Sequence, residues 1–322
     1  MPNKENEPDI LYHYCSNETF LNIIKNKTIR LSDICKSNDY MEAKWLLEYI
    51  EEEAIRQYKE NPFIIRDGVI HGLDGIDTIK YLIRYEKQKI MRRVDDLFYV
   101  ACFSENGDKL SQWRGYADDG YGLSIGFSKN MLESISGKEE LMYLRKVTYP
   151  IEVASKEISD FVRRFLESIY YAIDKGDTKD IFFDEYSSDV FLSMSTIVLL
   201  QTSLFFKNPA FVEEQEWRLV LNDELSKGDN WEDWYDSEIG KPNINGYFGE
   251  RFPKGLEFRS NRNKIISYFD LLFNGYQGEI IKKIFIGPKS EVEEDDIFQI
   301  LTYYGYNGNY DIVIEKSKST YR

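Results

Sequence analysis

Leu97-Phe98-Tyr99-Val100-Ala101-Cys102-Phe103 is seven residues without a charge or a helix breaker, rich in aromatic and β-branched side chains. A run of that length and composition predicts a strand buried on both faces. Other strand patterns lie around it at a distance: Ile10 to His13 and Thr28 to Leu31 before it, Tyr121 to Phe127, Met142 to Tyr149, Glu214 to Leu221, Lys282 to Ile286 and Asp311 to Glu315 after it. Helical patterns separate them. Thr19 to Lys25 follows a Ser16 N-cap, and Glu42 to Lys59, Thr78 to Arg93, about 153 to 206 (broken near Gly176) and about 291 to 303 complete the set. Pro62 to Asp77 holds three glycines and reads as a loop. Clustered strands divided by long helical insertions predict an α+β fold rather than a doubly wound sheet. With no repeat and no clear linker, residues 1–322 read as a single integrated domain with a helical insertion at about 153–206.

Composition narrows the classes of function. The chain of 322 residues carries a net charge of −15, which repels phosphate backbones and anionic membrane surfaces and argues against broad nucleic-acid coating. Aromatic residues make up 15%, enough to build a large core despite the charge. The three cysteines, Cys15, Cys35 and Cys102, are odd in number and form no CxxC pair, so neither a disulfide framework nor a thiolate metal site is expected and a cytoplasmic setting is. The polar opening Met1-Pro2-Asn3-Lys4 lacks an apolar signal core. The uncharged run Val190 to Phe206 is too short and too polar to span a bilayer and reads as a buried helix stopped by Asn208-Pro209.

Two stretches carry candidate chemistry. Leu11-Tyr12-His13-Tyr14-Cys15 puts one of only two histidines at the end of an apolar strand, where sites are built because the scaffold is rigid and the tip open. Glu213-Glu214-Gln215-Glu216-Trp217-Arg218 puts carboxylates at the start of a strand. Alternation predicts Glu214 and Glu216 on one face with Arg218, and Trp217 toward the core. Trp113-Arg114-Gly115-Tyr116 offers a stacking face and a fixed cation. Each has a plain structural reading as well: a histidine capping its strand, a Glu–Arg pair, a helical turn around a buried tryptophan. No phosphate-binding glycine loop, dinucleotide fingerprint or nucleophile elbow is present, and no metal ligand set is expected.

These residues resemble a bacterial family, the domain-of-unknown-function family 2971. The resemblance rests on Leu11-Tyr12-His13-Tyr14, Ile29-Arg30-Leu31-Ser32, Cys102-Phe103-Ser104 with Trp113-x-x-Tyr116, Gly122 to Phe127, Phe211-x-x-Glu214-Gln215-Glu216-Trp217-Arg218, Ile286-Gly287-Pro288-Lys289, and the closing Lys316-Ser317 and Tyr321-Arg322. The chain departs from the pattern at Cys15, where Thr is usual, and at Ser37-Asn38-Asp39-Tyr40, where Pro normally follows the Asp. The order His, aromatic, Glu is in turn similar to that of ADP-ribosyltransferases. That second resemblance implies a split central sheet with inserted helices and NAD as substrate. It also implies roles: Glu216 stabilising charge at the ribose, His13 on a ribose hydroxyl, the Tyr14 backbone on the carboxamide, Trp113 or Tyr116 stacked on nicotinamide, Arg30 or Arg114 on the pyrophosphate, and Glu214 on the acceptor. His13 and Glu216 are then expected on adjacent strands in one pocket. The implied setting is a bacterial toxin or phage-defence effector acting on a protein or nucleic acid, with an antitoxin or regulatory protein as a further partner and no membrane. A non-catalytic nucleotide-sensing or protein-interaction module is the alternative, followed by a magnesium-dependent nuclease using acidic pairs such as Asp118-Asp119. The basic helix Ile79 to Arg93 would be the nucleic-acid contact, against a plain reading as a solvated face.

Overall fold

The run that decides the fold forms strand β3, Phe98–Ser104, with every residue but Cys102 buried. A computed structural model of the chain describes residues 7–36, 40–61, 75–81, 83–84, 98–136, 142–149, 156–174, 204–222, 235–236, 241–242, 250–261, 263–306 and 312–321. In chain order the remaining strands are β1 (Ile10–Cys15), β2 (Thr28–Asp33), β4 (Leu123–Ser128), β5 (Met142–Lys146), β6 (Glu216–Asn222), β7 (Tyr235–Asp236), β8 (Lys241–Pro242), β9 (Leu256–Asn261), β10 (Lys264–Leu272), β11 (Ile281–Ile286) and β12 (Val313–Lys316). All but the small β7–β8 pair join one ten-stranded mixed sheet.

One edge of β3 pairs along its whole length with β6, from Phe98 opposite Asn222 to Ser104 opposite Glu216, and β6 continues to β5. The other edge is shared. Ser104 faces Tyr12 of β1, whereas Val100 and Tyr99 face Ser32 and Asp33 of β2. From β1 the sheet runs through β4 and β11 to β12; from β2 it runs through β10 to β9. The described pairs are antiparallel except β11–β12.

Alternation sorts the two faces. Leu11, Cys15, Tyr99, Ala101, Phe103, Ile125, Phe127, Trp217 and Leu219 line the core face. Against it lie Phe20, Ile23 and Ile24 of helix α1 (Asn17–Asn26), whose N-cap is Ser16 as the sequence predicts. Each such side chain contributes about 1.5–3 kcal/mol relative to exposure. The opposite face carries Tyr12 and Tyr14, packed with Trp113 of a short helix, Leu110–Tyr116, and with Phe285.

Contacts divide the chain into two compact units. Met1–Ser37, Asp96–Lys146 and Glu213–Arg322 form the first, which holds the ten-stranded sheet. Asn38–Asp95 and Val147–Val212 form the second, where helix Tyr40–Glu60 packs on helix Lys156–Asp174 and Gln57 donates to the carbonyl (2.9 Å) and hydroxyl (3.0 Å) of Ser159. The expected helical insertion falls in this unit, with residues 175–203, and so most of the run Val190 to Phe206, outside the described residues. Of the basic helix, residues 75–81 and 83–84 are helical, so it begins inside the stretch read as loop. Its residues from Tyr85 onward lie outside the described residues. No helix among the described residues is long and apolar enough to cross a membrane.

Two expectations are corrected. The strand read from Glu214 begins at Glu216; Glu214 ends a 3-10 turn, Pro209–Glu214, because Gln215 takes a left-handed φ of 45° and breaks the pleat between the two glutamates. Strands β9 and β10 had no counterpart in the sequence reading.

Candidate active site

The register of three strands brings the distant motifs together. Tyr12 of β1, Ser104 of β3 and Glu216 of β6 form one row across the sheet, and directly opposed residues point to the same face. Two residues along β6 on that face, Arg218 clasps Glu216: its Nε donates to Oε1 at 2.7 Å and its terminal nitrogen to Oε2 at 3.2 Å. Their side chains are 2% and 5% exposed, so this Glu–Arg pair is a buried, bidentate one. Glu214 is held twice. Its carbonyl accepts from the Ser104 hydroxyl at 2.7 Å, and its carboxylate accepts from the Tyr116 hydroxyl at 3.2 Å. Tyr116 itself is 49% exposed.

His13 does not join this group. β3 lies between β1 and β6, and Tyr12, rather than His13, is in register with Ser104 and Glu216. A one-residue offset reverses the face, so His13 projects with Leu11 and Cys15 and its ring packs on Phe103 at 5.8 Å. The expectation of adjacent strands and one shared pocket is corrected on both counts. Nδ1 of His13 lies 2.9 Å from the Cys102 carbonyl oxygen. A carbonyl only accepts, so Nδ1 carries the proton. Burial lowers the imidazole pKa, against the opposing pull of that carbonyl bond.

The other predicted residues separate. Tyr14 is buried; its hydroxyl donates to the Asn106 carbonyl and accepts from the Lys109 amide, both at 2.8 Å, and burial raises its pKa. Its backbone lies in the β1–β4 ladder opposite Ser124. Trp113 is fully buried, edge-on to Tyr14 at 4.9 Å, with its indole N–H donated to Asp108 at 2.8 Å. It is a core anchor and presents no face to a ligand, which corrects the stacking role. Arg30 on β2 is committed to Asp270 through two bonds, 2.8 and 3.1 Å, in a cluster with Tyr268. Asp119 of the acidic pair is held by Lys289 and by the Tyr321 hydroxyl, each at 2.8 Å, and these bonds lower its pKa. Among the described residues no group of three or more His, Cys, Asp or Glu is placed to hold a metal ion.

A cleft of about 520 Å³ opens beside helix Leu110–Tyr116. Lys109, Arg114 and Lys318 bring three cations to it; Glu213 and Asp108 bring two carboxylates. Asp108 is used internally: it accepts from the Trp113 indole, from the Lys318 amide at 2.8 Å and from the Ser317 hydroxyl. The lining is therefore suited to an anionic ligand. Sequence reasoning found Arg114 but missed Lys109 and Lys318. The Asn106-Gly107-Asp108 turn ahead of Trp113 was the available local signal; Lys318 had none, since it reaches the cleft from a distant part of the chain.

Residues 112–219, which span Trp113, Tyr116, Glu214 and Glu216, match the family model described as "Protein of unknown function (DUF2971)". No curated protein and no solved structure matches the chain.

Proposed function

We propose that this chain, whose residues 112–219 match the DUF2971 family model, is an NAD-dependent ADP-ribosyltransferase working on the Tyr12–Ser104–Glu216 face of its sheet. The row formed by those three residues is the observation that carries the reading, because it sets the first strand two strands from the late glutamate, and of the His, aromatic and Glu on which the resemblance rests it keeps Glu216, with Tyr116 bonded to the neighbouring Glu214. The sharing of one β3 edge by β1 and β2 also supports a split sheet of that kind.

Cleavage of the nicotinamide–ribose bond leaves positive charge on the ribose, and a fixed carboxylate stabilises that charge more than the ground state. Glu216 takes this role, oriented by Arg218. Tyr116 offers its exposed ring to nicotinamide, for about 1–3 kcal/mol by analogy with base stacking. Lys109, Arg114 and Lys318 hold the pyrophosphate in the cleft. Glu214, already an acceptor for Tyr116, receives the proton of the attacking nucleophile. His13 acts from the other face as a brace on the Cys102 carbonyl, and Arg30 is left to Asp270. The acceptor is a protein or nucleic acid in a toxin or phage-defence setting, where an antitoxin or regulatory protein would restrain the activity.

The test is nicotinamide release from NAD. Glu216→Gln, assayed below its melting temperature, should lose about 10²–10³ in rate while retaining NAD binding. Lys109→Gln with Arg114→Gln should weaken NAD binding instead. The buried Arg218 favours a second reading, since it already offsets the Glu216 charge: a nucleotide-sensing module without turnover. NAD binding that depends on Lys109 and Arg114, with no nicotinamide formed, would select that reading.

A further inference from the structure

Another cluster lies on β2, β10 and β9, apart from the residues that line the cleft. Arg30 stands opposite Asp270, Tyr268 is opposed by Ser32 on one side and Glu257 on the other, and Arg259 is two residues along β9 from Glu257. Alternation puts Arg30, Asp270, Tyr268, Glu257 and Arg259 on one face. Asp270 takes both bonds of Arg30, whose guanidinium stacks 3.7 Å from the centre of the Tyr268 ring. Glu257 accepts from the Tyr268 hydroxyl at 3.4 Å.

The acids of this cluster are thus engaged elsewhere than with Arg259. Its Nε is buried, and among the described residues it has no hydrogen-bond partner. Burial and, after it, the positive charge of Arg30 lower the Arg259 pKa, the opposite of what an arginine gains from a paired carboxylate. A buried guanidinium nitrogen without an acceptor is costly, and groups of this kind mark places where a ligand supplies the missing acceptor.

We infer that Arg259, beside the Arg30–Asp270 pair and Tyr268, binds a phosphate group: the Arg259 fork donates to its oxygens, while Asp270 and the Tyr268 ring hold Arg30 in place next to it. Asp270 already fills the fork of Arg30, so the incoming oxygens are met by Arg259. This inference is independent of the transferase reading.

Isothermal titration with inorganic phosphate at constant ionic strength tests it. Wild type should show saturable binding, Arg259→Gln should weaken it at least tenfold, and Arg163→Gln, at an exposed position outside the cluster and the cleft, should leave it unchanged. Arg259→Lys, which keeps the charge and loses the fork, should also bind more weakly and serves if Arg259→Gln fails to fold. A parallel titration with adenosine monophosphate separates the sources: tighter binding than inorganic phosphate, lost in the Arg259 variants, assigns the site to a phosphate ester, and equal or weaker binding assigns it to free phosphate. Absence of saturable binding of either, or equal affinity in wild type and the Arg259 variants, would overturn the inference.

Discussion

Glu216 and Arg218 stand two residues apart on one strand face, and both are out of water. Removing one partner leaves the other charged and buried, so Glu216→Gln should cost about 3–5 kcal/mol in urea denaturation. Replacing both with leucine should recover most of that loss, because a well-packed apolar pair avoids the desolvation cost. His13 gives a pH signature. Its folded pKa lies below the usual imidazole value near 6.5, so between the two values the unfolded chain binds more protons than the folded one. Its stabilising contribution is present above about pH 6.5 and is lost as pH falls through the lower, folded value. His13→Gln, which keeps a donor for the Cys102 carbonyl, should show a smaller stability loss than wild type between pH 7.5 and pH 5.5, measured by denaturant midpoints.

At the scale of elements, two glycines should respond in opposite directions. A side chain at Gly122 would overlap the carbonyl oxygen of Cys15 and press on that of Ala117, both backbone atoms. Gly122→Ala should therefore push β1 from β4 and lower stability by about 1–3 kcal/mol. Gly115 sits within helix Leu110–Tyr116 with open space around it, so Gly115→Ala should raise stability by about 0.5–1 kcal/mol. Thermal melts of the two variants check both signs. Elements with local chemistry were legible in the sequence: Ser16 caps α1, and the apolar run Phe98 to Phe103 is β3. The Glu214–Glu216 alternation was not, because it depends on the backbone angle of Gln215, which side-chain spacing does not encode. The facing of His13 was not either. A period of two is visible in Leu11 to Cys15, but which residue aligns with Ser104 is set by a strand about ninety residues away. Trp113 as a core anchor was readable only as one of two options, and its Asp108 partner decides between them.

At the scale of the whole molecule, a net charge of −15 opposes loose attachment to nucleic acid. Random-sequence duplex DNA should show no retardation in gel shift at ~150 mM salt. Labelled NAD incubated with cell lysate decides the class of acceptor: label in a protease-sensitive fraction points to protein, label in a nuclease-sensitive fraction to nucleic acid. Absence of label from both, with no nicotinamide formed, would leave the sensing module as the reading. The way β3 divides one edge between two strands has a dynamic consequence. Between Ser104, which meets β1, and Val100, which meets β2, the Cys102 carbonyl is met by an imidazole. A ladder continued by one ring in place of a strand has its weakest seam there, and sub-global opening starts at weak seams. In native-state hydrogen exchange, amides along the β1 and β2 borders of β3 should lose protection before those along the β3–β6 border, and His13→Ala should widen that interval.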